Sequence, residues 1–158
     1  AYFAVKTRKQ ELIERKVAEI QRIQARRALS ETEKQLSAIV YEHGMSDRGF
    51  GGRSTVQMKE KLGVPKSRPL ADMLADVAIN AKSLAASMTT YNVEERDIRG
   101  DTGIISEHVD NNRSVRSTLV ERGIRPEDLP PAEDTKKLER RIKADERNLK
   151  KGSQGLPE

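Results

Sequence analysis

The chain has no cysteine, no tryptophan and only two histidines among its 158 residues. The missing cysteines remove disulfides and thiolate metal sites. With His43 and His108 the only imidazoles, little is left for nucleophilic chemistry. Three tyrosines and two phenylalanines give few platforms on which unpaired bases could stack. No apolar run approaches the ~18 residues that suggest a membrane span. No alternating pattern of useful strand length appears either, and there is no internal repeat.

What the chain does contain is charge: 35% of residues are Asp, Glu, Lys or Arg, matched by 35% hydrophobic residues. Burial must then come from narrow amphipathic stripes, which suits helices. The formal net charge of +5 is unevenly spread. Residues 1–28 hold eight Lys/Arg against three acids, 48–68 six against one, and 132–151 eight against five. Residues 69–131 run the other way, seven against eleven. Three basic segments thus flank an acidic body, which fits a phosphate-bearing or acidic partner, or simply a solvated face.

The periodicity predicts an all-α fold of about five helices, with a long N-terminal helix and a charged C-terminal one. Ala1 is not a start methionine and the first residues are already at helical spacing without a cap, so the chain reads as a C-terminal piece. Residues 1–131 are expected to form a helical domain, in which 1–44 are long N-terminal helices and 45–131 a compact body. Residues 132–158 are read as a charged helix and disordered tail. In the first helix Ile13, Val17, Ile20 and Ile23 form one stripe, too thin to stand alone in water. It is expected to pack on the body or to serve as a homo-oligomer interface. Ser30 with Glu33 makes a capping-box signature, which predicts a break or restart there.

Further on, Met45 to Arg53 reads as glycine-rich and flexible. Ser54 with Gln57 repeats the capping box and opens a short helix that Gly63-Val64-Pro65 closes. A central core helix is expected from Pro69 to about Thr90, on Leu70, Met73, Leu74, Val77, Ala78, Ala81, Leu84, Ala85 and Met88. After an irregular stretch a further helix ends at Gly123-Ile124. Asp134 caps a last helix whose apolar anchors are Leu138, Ile142 and Leu149.

Candidate sites follow from these elements. His43, in the last turn before Gly44, is read as meeting helix C-terminal carbonyls. Glu107, His108 and Asp110 are close in sequence, yet only the first and last share a helix face, which argues against a metal site. The stretch Gly49-Phe50-Gly51-Gly52-Arg53-Ser54-Thr55 lacks the spacing, the lysine and the preceding strand of a nucleotide-binding P-loop. A glycine loop entering a helix still presents backbone amides to an anion, and Arg48, Arg53 and Lys59 are placed to join them; a flexible connector is the plainer alternative. The short helix, the Gly-Val-Pro break and the longer helix outline a helix-turn-helix. The second helix carries only Lys82, however, so it reads as core, and phosphate contact belongs to the basic first helix and its flanks. The nucleic-acid-binding set is therefore Arg48, Arg53, Ser54, Thr55, Lys59, Lys61 and Lys66, with no catalytic residue, cofactor or metal.

Three stretches carry a family likeness. Tyr2-Phe3-Ala4-Val5 is followed by Thr7-Arg8-Lys9-Gln10-Glu11-Leu12; Gly49-Phe50-Gly51-Gly52 by Lys59, Leu62-Gly63, Lys66 and Pro69-Leu70-Ala71-Asp72; Glu107-His108-Val109 by Val115-Arg116 and Pro126-Glu127-Asp128-Leu129-Pro130. In order and distance these resemble the DNA-damage-inducible protein D family. The resemblance implies a bacterial cytoplasmic protein of the SOS response or a prophage, with an N-terminal half similar to phage antirepressor domains. Joined to the residue reading, it gives a non-enzymatic regulator whose partner is DNA or a DNA-repair nucleoprotein filament, with no membrane and no small-molecule substrate. The alternative is an interaction and dimerisation module whose DNA contacts lie in the absent half.

Overall fold

The computed structural model describes the backbone of residues 2–42 and 50–153, and the side chains within 7–32 and 50–152. Five α-helices account for it: α1 Tyr2–Glu42, α2 Thr55–Leu62, α3 Asp76–Glu95, α4 Asp101–Glu121 and α5 Thr135–Ser153. Short 3-10 turns stand at Leu70–Met73 and Pro126–Asp128. The all-α expectation, with a long first helix and a salt-bridge-rich last one, is what the chain adopts. The assignments for His43, Gly44 and Arg48 fall outside the described residues, as does most of the proposed tail.

Two compact units divide these elements, one made of residues 1–25 and 133–158 and the other of residues 26–132. In the first, α1 and α5 are joined by charge. Lys16 Nζ donates to the Asp145 carboxylate and, at 3.3 Å, to Glu19, while Arg141 bridges Glu19 at 3.0 Å and Glu133. The hydrogen bond to Asp145 chiefly raises the Lys16 pKa above its ordinary value, and the bond from Arg141 chiefly lowers that of Glu133. Asp134 caps α5 as expected, its carboxylate accepting the Lys136 amide at 2.9 Å. Leu138 is buried and Ile142 half-buried, but Leu149, expected as an anchor, is 74% exposed.

The second unit has its core along α3 and α4, which pack on each other and bury Ala78, Ile79, Ala85, Ala86, Ile105 and Val109. Small residues on α3 permit that approach. Polar side chains are set into the same interface. Asn111 Nδ2 donates to Thr89 Oγ1 at 3.0 Å and to Glu107 Oε1 at 3.2 Å, and Asn92 donates to the same Glu107 oxygen. Thr89 and Asn111 are both buried. His108 Nδ1 lies 3.3 Å from Thr89 Oγ1.

Helix ends follow local chemistry. Ser54 and Gln57 form both halves of the capping box, at 3.2 Å and 2.9 Å. Gly63, at φ +72°, ends α2 with the Val64 amide on the Lys59 carbonyl at 2.9 Å and Val64 buried beneath. Gly123 repeats the device after α4, with Ile124 donating to Leu119 at 2.9 Å.

Two boundary expectations are corrected. No break occurs at Ser30: α1 runs through it, and the buried Ser30 hydroxyl finds no hydrogen-bond partner among the described residues, so it does not act as a cap. Its neighbours override the signature, since Leu29 is buried and Arg26 and Arg27 are held by Asp76 and Asp72. The helix expected from Pro69 to about Thr90 is also interrupted. Leu74 and Ala75 are extended, and α3 starts at Asp76 and continues to Glu95. The carbonyls of Met73 and Leu74, which a continuous helix would offer to its own amides, accept instead from the Ala132 amide at 2.9 Å and from Arg26 at 2.7 Å. Asp72, fully buried, holds Arg68 and Arg27 at 2.7 and 3.1 Å and fixes the turn before the break. The second helix of the helix-turn-helix outline therefore starts later than its sequence pattern.

Candidate anion-binding site

Of the glycine-rich stretch ahead of α2, residues 45–49 lie outside the described residues, and Phe50–Arg53 is held by specific contacts. Phe50 is buried, with Lys82 Nζ 4.9 Å above its ring, and the Arg53 amide closes the turn on the Phe50 carbonyl at 3.2 Å. Gly51 and Gly52 follow at φ +64° and +87°, a conformation that side chains disfavour. A Cβ on Gly51 would stand 2.8 Å from Glu127 Oε1 and 3.0 Å from Arg116 Nη2. The loop backbone thus lies directly on an ion pair between α4 and the Pro126–Asp128 turn.

That pair is the anchor of the region. Arg116 Nη2 donates to Glu127 Oε1, and Glu127 is only 8% exposed. Burial pushes the Glu127 carboxyl up, but the hydrogen bond from Arg116, one from its own amide and the Arg116 charge outweigh this and lower its pKa. Arg116 Nε and Glu127 Oε2 are buried without a partner among the described residues. Beside the pair opens a depression of about 440 Å³, lined by Gly51, Gly52, Arg113, Arg116, Ser117 and Val120. The four α4 positions recur at helical spacing and share one face.

The residues expected from sequence to contact nucleic acid are distributed as follows. Arg48 lies outside the described residues. Arg53 and Thr55 are exposed beside the glycine pair, and the Ser54 hydroxyl is engaged in the cap. Lys59 is half-buried, its ammonium donating to the Lys66 carbonyl at 3.1 Å, while the Lys66 side chain is exposed. Lys61 is a tether: it donates to the Glu127 carbonyl and, at 3.2 Å, to Asp128. Arg53, Ser54 and Thr55 thus adjoin the depression in sequence, Lys59 and Lys66 lie farther along the segment, and Lys61 is committed to the turn.

Arg113, Arg116 and Ser117 were not among the sequence candidates. The available signal was their i, i+3, i+4 spacing on α4, where Arg116 continues the buried row of Ile105, Val109 and Asn112 and Arg113 and Ser117 flank it. Only tertiary structure brings that face to Gly51. Glu107, the other carboxylate weighed from sequence, receives amides from Asn92 and Asn111, and Asp110 is an exposed side chain 3.8 Å from Arg113. Among the described residues, no three or more His, Asp or Glu side chains group as metal ligands. The seam residues belong to the other unit: Ile13, Val17 and Ile20 are 54%, 47% and 40% exposed, and Ile23 is half-buried. Among the described residues, no helix is long and apolar enough to cross a membrane.

No protein-family model matches the chain. It is similar to the DNA damage-inducible protein D of Escherichia coli strain K12, with 27% identity over 92% of its own length. The chain spans 61% of that protein. No solved structure matches it.

Proposed function

We propose that this chain is a non-enzymatic regulator of the bacterial DNA-damage (SOS) response or of a prophage, acting in the cytoplasm on nucleic acid or on a recombinase nucleoprotein filament. The likeness to a DNA damage-inducible protein supports the biological setting. The observation that carries the binding half is the meeting of the Gly51-Gly52 loop with Arg113, Arg116 and Ser117, next in sequence to exposed Arg53. Contact is electrostatic and directed at phosphate, because α3 presents an apolar face and the chain is poor in aromatic residues. The test is anisotropy of labelled duplex and single-stranded DNA between about 50 and 200 mM salt, where several phosphate contacts cost orders of magnitude in affinity. Charge reversal at Arg53, Lys59 and Lys66 is expected to weaken binding and flatten the salt slope. Absence of binding at low salt refutes direct nucleic-acid contact by this chain.

A second reading is favoured by one observation, the exposure of Ile13, Val17 and Ile20 along α1. There the chain is a protein-interaction or dimerisation module, and nucleic-acid contacts lie elsewhere in the protein. Under it the same charge reversals leave function intact, whereas aspartate at Ile13 and Ile20 abolishes it.

A further inference from the structure

Resting on the nucleic-acid reading and deepening it, we infer that the depression between the Gly51-Gly52 loop and α4 seats one phosphate group of a nucleic-acid backbone, with Arg113 as the recognising guanidinium.

Four features meet there. Arg113 is 57% exposed, and its pairing with Asp110, itself 65% exposed, spans 3.8 Å. An exposed pair of that geometry is worth little, so the planar guanidinium fork is available to a better acceptor. Arg116 is positioned differently: Glu127 fixes its guanidinium from behind through Nη2 and its Nε is buried, while the side chain remains 26% exposed. The exposed part of a fixed cation is therefore left to the depression. Ser117, one residue on along the same face, adds an exposed hydroxyl. Across from them a Cβ on Gly52 would meet nothing within 4 Å, so the loop leaves open the space that a ligand would fill.

The charge balance narrows the ligand. Two arginines line the depression, while Glu127 stands behind Arg116 and Asp110 lies 3.8 Å from Arg113, so the site offers guanidinium donors with little surplus positive charge. That suits a singly charged phosphodiester better than a dianionic phosphate. The approximate volume of 440 Å³ admits one phosphate group with its sugar. Arg113 and Ser117 act by direct contact, whereas Glu127 is a positioning residue that acts through Arg116.

The isotope-labelled chain is titrated first with inorganic phosphate and then with a short thymidine oligonucleotide, while backbone amide and arginine Nε–H signals are followed. Expected are saturable oligonucleotide shifts at Gly51, Gly52, Arg113 and Ser117. Arg113→Glu is expected to weaken them at least tenfold, and Arg113→Lys to restore affinity only in part because it lacks the fork. Arg53→Glu should weaken oligonucleotide binding without removing the shifts at Gly51 and Gly52. Oligonucleotide shifts confined to residues 53–66 would overturn the seat and leave the nucleic-acid reading standing. A saturable response to inorganic phosphate alone would keep the seat, assign it to a small phosphate compound and sink that reading. Silence with both probes removes both.

Discussion

Arg116 donates to the Glu127 carboxylate from α4 into the Pro126–Asp128 turn, and the backbone of Gly51 closes over the pair at a distance no side chain could share. Three segments distant in sequence are thereby fixed to one ion pair.

Acid should release it. The Glu127 pKa is lower in the folded chain than in the unfolded one. Its contribution is therefore complete above the unfolded value, near pH 4 to 4.5, and is lost as pH falls through the folded value. Urea unfolding followed from about pH 3 to pH 7 should show stability dropping at the acid end. Glu127→Gln should flatten that drop and lower stability at neutral pH by on the order of 2 to 4 kcal/mol, since it leaves Arg116 without its anion. An unchanged acid limb in the variant would separate Glu127 from the effect.

Gly51→Ala should also destabilise, by about 1 to 3 kcal/mol. It combines a positive φ with a methyl group 2.8 Å from a carboxylate oxygen that cannot retreat while Arg116 holds it. Gly63→Ala, where a Cβ meets nothing within 4 Å, carries the conformational cost alone and should be milder. Thermal midpoints of the two variants compare the effects directly.

The capping residues offer a local test. Ser54→Ala removes the acceptor for the Gln57 amide and Asp134→Ala the acceptor for the Lys136 amide, each for about 1 kcal/mol. Because α2 and α5 lie in different units, amide hydrogen exchange should report each loss in its own helix.

For α1, Ile13→Asp and Ile20→Asp test whether the exposed seam holds a second copy. If it does, sedimentation of the parent chain gives a concentration-dependent mass that the substitutions reduce to the monomer. A parent chain that stays monomeric at high concentration removes the homo-oligomer.

The helix ends that sequence reading located are those written within a few residues: Ser54 with Gln57, Gly63 before Val64, Gly123 before Ile124, and Asp134. The misreadings involve partners far along the chain. Leu70, Met73 and Leu74 continue the helical period of α3, and nothing nearby announces that Arg26 and Ala132 take the carbonyls of Leu74 and Met73. At Ser30 a valid local signature lost to burial of its neighbours. The candidate site was half legible: its glycines and Arg53 stand together in the sequence. Arg113, Arg116 and Ser117 join them only because Glu127 holds Arg116 beneath the loop.

The buried hydrogen bonds between α3 and α4 do more than fill their polar groups. The alanines buried along α3 offer little relief to fix register, so an apolar seam alone could slip by one turn, about 5.4 Å. Such a slip would put Val115 or Glu107 where Asn111 meets Thr89 and carry the Glu107 carboxylate away from the Asn92 amide that donates to it. The two helices are consequently a latch with one engaged position, and the face carrying Arg113 and Ser117 is held at a single height.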